Sequence, residues 1–273
     1  MSTPMSTVDF AKLGNEDKAK ITDRVWWEEL GHGPDNEIIQ DRHWFQVITR
    51  SSRGILANSV AKCEMNEADI DKRIQETIAT YRSLGLPFHW VVAPSSRPRD
   101  LAKRLIAAGM HLGGTSYGLI ADPRRITASK HADITVEPVT SQNIHEYTSL
   151  ISSDPFIEDH AVERHRRLVH HHLEKKRDLV SHFLAKFQGK PAGIAQIRYH
   201  SGYAFIPGGK PEVTPSFTGH GVFSALVEHL AADAVKRGLH VIATYAGKDT
   251  SPLWLKRGFE KTCEYGLYFW RPN

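Results

Sequence analysis

The sequence has little cysteine and no long apolar run, and both shortages restrict the class of protein. Only two cysteines, Cys63 and Cys263, occur among 273 residues, and they form no CxxC pair. This argues against a disulfide framework and against a zinc site, and it favours a reducing compartment. No apolar run approaches the ~18 residues that span a bilayer, and the first residues lack the pattern of a signal peptide. We therefore expect a soluble, cytoplasmic protein with no membrane partner.

A dominant charge is also missing. The formal net charge is +4, and basic and acidic residues are scattered over both halves. Recognition of nucleic acid requires basic residues clustered on one face, so we expect no nucleic-acid partner.

Histidine is abundant, with sixteen residues, but its spacing does not favour a metal site. Five histidines fall on one predicted helix, and none of them has another at i+4, the spacing that places two ligands on one helix face. Arginines lie among them and oppose a cation. The pattern indicates a solvated basic face, and we expect no bound metal. The five are His160, His165, His170, His171 and His172.

The length fits two domains. In the first half, alternating patterns predict strands and helices in turn, which is typical of an α/β or α+β fold. These are strands at 44–50, 54–63 and 88–93, helices after Asn66 and Pro98, and a strand or hairpin over 110–121. Residues 122–132 are polar and unpatterned, so they form the predicted linker between a domain at 1–121 and a domain at 133–273.

The same periodicities and turn residues predict the elements of the second half. The expected elements are a strand at 133–138, helices at 141–152 and 157–175, a hairpin of strands 180–187 and 193–200, a strand at 203–206, a long helix after Gly221, a strand at 240–245, a helix at 251–257 and a final hairpin ending at 265–270.

The two halves resemble each other near their ends. The triplet Tyr117-Gly118-Leu119 is repeated as Tyr265-Gly266-Leu267, and Gly109-Met110 is repeated as Gly258-Phe259. The stretch 89–93 likewise parallels 240–243, and the offsets agree within a few residues over about thirty positions, which indicates an internal duplication.

The most informative stretch is 213–226, which combines a strand end, a glycine turn and the start of an amphipathic helix. Pro215 ends the strand because proline has no N–H for a sheet ladder. Gly219 and Gly221 permit a positive φ. The N–H groups at the start of the following helix would form an anion site. The same pattern is also typical of a tight strand-to-helix connection. The corresponding join in the first half, between 63 and 66, has no glycine.

The order of elements across 133–270, with Val-Thr-Pro before the turn and Gly258-Phe259 after the short helix, resembles the GNAT N-acetyltransferases. The resemblance implies two GNAT-like domains, each a mixed, mostly antiparallel central sheet flanked by helices, of which residues 44–121 form a degenerate copy. It also implies that the turn holds acetyl-CoA, with the pyrophosphate on backbone N–H groups from Gly219 to Ser224 and the pantetheine arm on the strand edge near Val213. The implied cofactor-binding residues are Val213, Thr214, Thr218, Gly219, His220, Gly221, Val222, Phe223 and Ser224.

Three residues depart from the family pattern. Thr218 replaces a basic or amide residue and brings no charge, while Phe223 replaces a small residue and could crowd the phosphates. Trp254 stands where the family has the tyrosine that protonates the leaving thiolate, and an indole N–H is no proton donor at neutral pH. The acid role is then vacant or moved to Tyr245 or Tyr265.

The resemblance implies transfer of an acetyl group from acetyl-CoA to the amine of a small molecule. An aliphatic amine has a pKa of about 10, so a base must remove its proton. Glu212, His200 and His220 are the candidates, with Glu212 ranked first, and a strand N–H near Val213 or Thr214 would polarise the carbonyl.

Two other functions stay open at this point. One is a non-catalytic protein that binds CoA or a small molecule, and the other is an O-acyltransferase or decarboxylase on the same scaffold. We expect a monomer or a homodimer.

Trp26 and Trp27 could line a ligand cleft, although adjacent tryptophans more often anchor packing.

Overall fold

The computed structural model describes residues 8–27, 32–126, 131–152, 159–208 and 211–272. Within these ranges twelve strands form a single mixed sheet. The strands are β1 (Glu37–Gln40), β2 (Trp44–Ile48), β3 (Ser59–Cys63), β4 (Phe88–Val92), β5 (His111–Ala121), β6 (Ile134–Pro138), β7 (Val180–Phe187), β8 (Lys190–His200), β9 (Tyr203–Ile206), β10 (Glu212–Val213), β11 (Ile242–Gly247) and β12 (Glu260–Trp270). Positions 127–130 of the predicted linker and 157–158 of a predicted helix lie outside the described residues.

Seven α-helices flank the sheet in the described residues. They are α1 (Asn15–Arg24), α2 (Ile70–Leu84), α3 (Leu101–Ala107), α4 (Ile144–Ser152), α5 (Asp159–Lys175), α6 (Val222–Lys236) and α7 (Ser251–Leu255). Short 3-10 helices occur at Phe10–Lys12, Ile55–Ala57, Pro123–Arg125 and Pro215–Phe217. No helix in the described ranges is long and apolar enough to cross a bilayer.

The order of strands shows that the two halves exchange their last strands. The order is β1-β2-β3-β4-β12-β5-β11-β9-β8-β7-β6, with β10 also paired to β8. Thus β12, from the second half, pairs with β4 of the first half, and β5, from the first half, pairs with β11 of the second. The pairs β3–β4 and β9–β11 are parallel, and the other pairs are antiparallel.

The register between β5 and β12 carries an approximate twofold symmetry. Ser116 pairs with Tyr265 and Tyr117 pairs with Glu264. In the sequence repeat, Tyr117 corresponds to Tyr265 and Ser116 corresponds to Glu264. The repeat therefore converts the first of these pairs into the second. The internal duplication read from the sequence therefore corresponds to two symmetric strands at the centre of the sheet.

Each half has its own apolar core on the sheet. In the first half Ile70, Ile74 and Ile78 of α2 pack with Trp90. In the second half α6 covers one face of the sheet through residues such as Leu226. Helices α4 and α5 cover the opposite face, where Tyr147 of α4 packs with Leu184 and Ile194 of the sheet. These two faces, the α6 face and the α4–α5 face, position the candidate site.

The predicted fold class is confirmed, and the structure adds that both sheets are joined into one. The final hairpin is wrong, because residues 260–270 form one long strand between β4 and β5. Of the two alternatives predicted for 110–121, a strand or a hairpin, the structure has the strand, β5. Strand β1 was not predicted.

Candidate active site

The glycine turn has the conformation that its sequence predicts. Gly219 and Gly221 have φ angles of 86° and 88°, and Gly221 precedes the first residue of α6. The first helical bond runs from the N–H of Ala225 to the carbonyl of Gly221, at 3.0 Å. The N–H groups of residues 222–224 consequently have no acceptor in the preceding turn of the helix. They form a positive helix end beside the turn.

The strands beside this turn separate. Strand β11 pairs with β9 as far as the contact of Thr244 with Ile206. Beyond that point the chain leaves β9, and β10 pairs with β8 through Val213 and Gly193. The N–H of Thr214 is bonded to the carbonyl of Ala192 at 3.0 Å, so Thr214 does not supply the predicted donor. Because successive N–H groups along a strand point to opposite edges, that of Val213 points to the open edge.

The corresponding place in the first half is closed. The N–H of Arg97 donates to the carbonyl of Cys63 at 2.8 Å, and the N–H of Met65 donates to the carbonyl of Arg97 at 3.3 Å. These bonds extend the parallel ladder of β3 beyond its end. A ligand has no free strand edge to pair with there.

Tyr245 lies where β9 and β11 separate. Its hydroxyl accepts a bond from the N–H of Gly208 at 3.2 Å, so its own hydrogen can be donated to another group. Its ring stacks on Trp26, with the ring centroids 4.2 Å apart. Burial raises the pKa of Tyr245, which keeps the phenol protonated at neutral pH.

A cavity of about 260 Å³ opens beside Tyr245. Trp26, Gly208 and Thr250 contribute to its wall, and so do Leu56 and His89 of the first half. The two halves thus build one cavity, beside the point at which β9 and β11 separate. Trp26 both packs on Tyr245 and lines this cavity, so its two predicted roles, as a packing anchor and as the wall of a ligand cleft, are compatible.

The other candidate acid is held elsewhere. The Tyr265 hydroxyl is buried and donates to the carbonyl of Thr22 at 2.6 Å. Trp254 is 0% exposed, with its ring against Phe223 and Phe259 at centroid distances of 5.4 and 4.8 Å. The Phe223 ring therefore packs towards α7.

The predicted bases occupy three different places. Glu212 is exposed, and its pairing with Ile194 places its side chain on the α4–α5 face. His220 lies in the turn with its ring against Phe187, at 5.0 Å between centroids. His200 is buried at the end of β8, where it is paired with and stacked on Tyr203, the first residue of β9. Burial lowers the pKa of His200 to about 3, so it is neutral and lies away from Tyr245.

The solvated histidine face predicted for α5 is wrong for His172, while the side chain of His160 lies outside the described residues. His172 is 0% exposed, and its Nδ1 lies 2.9 Å from Nε2 of His182. Nδ1 of His182 in turn lies 2.9 Å from the Tyr147 hydroxyl. The described residues contain no group of three or more His, Cys, Asp or Glu side chains that could hold a metal ion.

Sequence reasoning missed the residues that reach the cavity from the first half. Leu56 and His89 carry no motif, and only the contact between the halves brings them to Tyr245. Gly208, whose φ of 79° is positive, is a detectable turn residue in Pro207-Gly208-Gly209, but its contact with Tyr245 depends on tertiary structure.

Comparison with known proteins agrees with this geometry. The model of the acetyltransferase (GNAT) family matches residues 145–259. No curated protein matches the sequence. Among solved structures, a conserved protein of unknown function from Staphylococcus epidermidis has a TM-score of 0.65 and 16% identity, and it covers 89% of this chain and 96% of its own.

Two further solved structures are similar over nearly the whole chain. A GCN5-related N-acetyltransferase from Kribbella flavida has a TM-score of 0.64 and 14% identity, with 96% of both chains covered. A tandem GNAT protein from the clavulanic acid biosynthesis pathway has a TM-score of 0.62 and 12% identity, with 97% of this chain and 90% of that chain covered. The predicted resemblance and its tandem arrangement are confirmed at the level of fold.

Proposed function

We propose that the protein transfers the acetyl group of acetyl-CoA to the amine of a small molecule, because residues 145–259 match the model of the acetyltransferase (GNAT) family. One observation carries this proposal. The chain that leaves β9 returns as β10 with an open edge and continues into the glycine turn, and Tyr245 and the cavity lie where β9 and β11 separate.

The residues of the turn fit the pyrophosphate of CoA. Around Gly219 no heavy atom lies within 4 Å of the position that a Cβ would take, so the turn is open there. The free N–H groups at the start of α6 are suitable donors to phosphate oxygens. Phe223 packs on Trp254, so its bulk is compatible with phosphates at the turn.

The open edge of β10 fits the pantetheine arm and the thioester. Amide groups of the arm can pair with the free edge at Val213, as an added strand does. The Val213 N–H is then a fixed donor for the carbonyl oxygen on which charge develops during attack.

Two side chains suit the proton transfers. Tyr245 donates its hydroxyl proton to the departing sulfur, because burial keeps the phenol protonated. Glu212 accepts the proton of the attacking amine, directly or through water. Its exposed carboxylate lies on β10, the strand proposed to hold the thioester.

The cavity between the halves suits the acceptor amine. Its volume of about 260 Å³ is that of a small molecule rather than a protein segment. The stacked pair of Trp26 and Tyr245 offers an aromatic wall for the acceptor.

A non-catalytic protein that binds CoA is the second candidate, and Trp254 favours it. This buried indole occupies the position at which the family has a proton-donating tyrosine. If Tyr245 does not replace that tyrosine, the protein can bind acetyl-CoA without turning it over.

Titration calorimetry with acetyl-CoA, followed by a thiol-release assay with a panel of small amines, tests the proposal. Binding together with amine-dependent thiol release supports the N-acetyltransferase. Binding without release supports the non-catalytic alternative. Thiol release with alcohols instead of amines supports an O-acyltransferase. Absence of binding at high micromolar acetyl-CoA refutes the proposal.

A further inference from the structure

One stripe of α6 faces two side chains from other parts of the chain. Gly221, Ser224 and Glu228 follow one another at spacings of three and four residues, so they share one face of the helix. Arg257, which follows α7, reaches this face from one side. His131, which precedes β6, reaches it from the other.

Arg257 contacts the first turn of the helix. Its Nη1 donates to Oε1 of Glu228 at 3.0 Å, and its Nη2 donates to the hydroxyl of Ser224. The backbone N–H of Ser224 is one of the free donors at the helix end. The guanidinium consequently lies beside the group of donors proposed to hold the pyrophosphate.

Glu228 fixes the guanidinium in this place. The residue is 6% exposed, and a carboxylate at that depth needs partners because its desolvation is costly. Its second oxygen lies 3.0 Å from Nε2 of His131, so the carboxylate is held from both sides. The His131 ring also packs against the turn, with Nδ1 at 3.1 Å from the position of a Cβ on Gly221.

Arg257 retains the capacity to bind an anion. A guanidinium has five N–H donors in a planar fork, and the two contacts with Glu228 and Ser224 use two of them. The side chain is 30% exposed, so the remaining donors are accessible. Arginine also matches the geometry of phosphate oxygens better than lysine does.

We propose that Arg257, positioned by Glu228, binds the pyrophosphate of CoA with the N–H donors that its contacts with Glu228 and Ser224 leave available. This inference rests on the proposed binding of acetyl-CoA. It names a positioning carboxylate and a phosphate-binding cation outside the glycine turn, on residues that come together only in the folded chain.

The test compares Arg257→Gln with Lys256→Gln in the full chain, by calorimetry with acetyl-CoA and by competition with S-acetylpantetheine, which has no phosphate. Lys256 is exposed and adjacent, so its variant removes the same charge without the contact to α6. We expect Arg257→Gln to weaken acetyl-CoA binding by about tenfold to a hundredfold, the usual loss for a charge-assisted hydrogen bond. Binding of S-acetylpantetheine and the affinities of Lys256→Gln should change less than about twofold.

The outcomes separate the inference from the proposed function. If the unmodified protein binds acetyl-CoA and Arg257→Gln binds it equally well, the inference is overturned and the function stands. Equal losses for both ligands also overturn it, because they would indicate a merely structural role. If the unmodified protein does not bind acetyl-CoA, the proposed function fails first. Circular dichroism checks folding, and if Arg257→Gln is unfolded, Arg257→Lys carries the test, with a several-fold loss expected for acetyl-CoA alone.

Discussion

Replacing Gly219 or Gly221 of the turn with alanine separates two costs to the stability of the folded protein, the cost of a positive φ and the cost of a steric contact. Gly219 and Gly221 have nearly the same φ, 86° and 88°, so a Cβ imposes a similar conformational cost of about 1–2 kcal/mol at each. Their surroundings differ, because nothing lies within 4 Å of a Cβ at 219, whereas Nδ1 of His131 lies at 3.1 Å from one at 221. We expect Gly219→Ala to lower the free energy of unfolding by about 1–2 kcal/mol, and Gly221→Ala to lower it by about 1 kcal/mol more, as for a modest overpacking.

Urea unfolding followed by circular dichroism measures both losses, with the m-value checked for constancy. The same two substitutions are then made in a His131→Ala background. A double-mutant cycle isolates the contact, and the extra loss of Gly221→Ala should disappear when the ring is removed. The reasoning is refuted if the two alanines cost the same in the unmodified chain, or if the difference persists without His131.

Three further predictions concern catalysis and pH. Tyr245→Phe keeps the ring on Trp26 and removes the hydroxyl. In steady-state assays kcat should therefore fall about 100-fold or more, while KM for acetyl-CoA stays within about twofold. An unchanged kcat would remove Tyr245 from the mechanism. Glu212→Gln should lower kcat/KM for the amine by a similar factor. The variant should recover activity towards pH ~10, because the amine is itself deprotonated there. A loss that is the same at every pH would contradict the role of a base. His200 has its pKa lowered from 6.5 to about 3, so the unfolded chain binds the extra proton between these values and the free energy of unfolding falls as pH decreases through that window. His200→Phe should reduce this pH dependence by about one proton in urea titrations at several pH values, and an unaltered slope would show that the ring is not buried in the neutral form.

Local signals were sufficient for most elements of the second half. The hairpin of β7 and β8, the strand β9 and the start of α6 lie at or close to the predicted positions, because each is marked by alternation or by turn residues. In the hairpin, Gln188 and Gly189 both have positive φ, as a two-residue turn requires. The glycine turn was identifiable for the same reason, since positive φ leaves a direct trace in the sequence.

Pairing across the middle of the chain left no such trace. Residues 260–270 form a single strand, whereas the sequence predicts a final hairpin that ends at 265–270. In the structure Gly266 pairs with both Val92 and Thr115, so it lies inside the sheet with neighbours on either side. The exchange of β5 and β12 joins residues far apart in sequence, and periodicity alone cannot specify a partner.

The two halves differ at their strand edges because their parallel ladders end differently. In the first half the segment after β4 continues the ladder, and Arg97 bonds to both Cys63 and Met65. In the second half the chain leaves β9 at Pro207 and Gly208, where proline has no N–H to continue a ladder and Gly208 adopts a φ of 79°. The chain rejoins the sheet on β8 as β10, so the facing edge of β11 beyond Thr244 loses its neighbour. A duplicated fold thereby keeps one closed copy, which contributes Leu56 and His89 to the cavity wall, and one open copy, which presents a free strand edge.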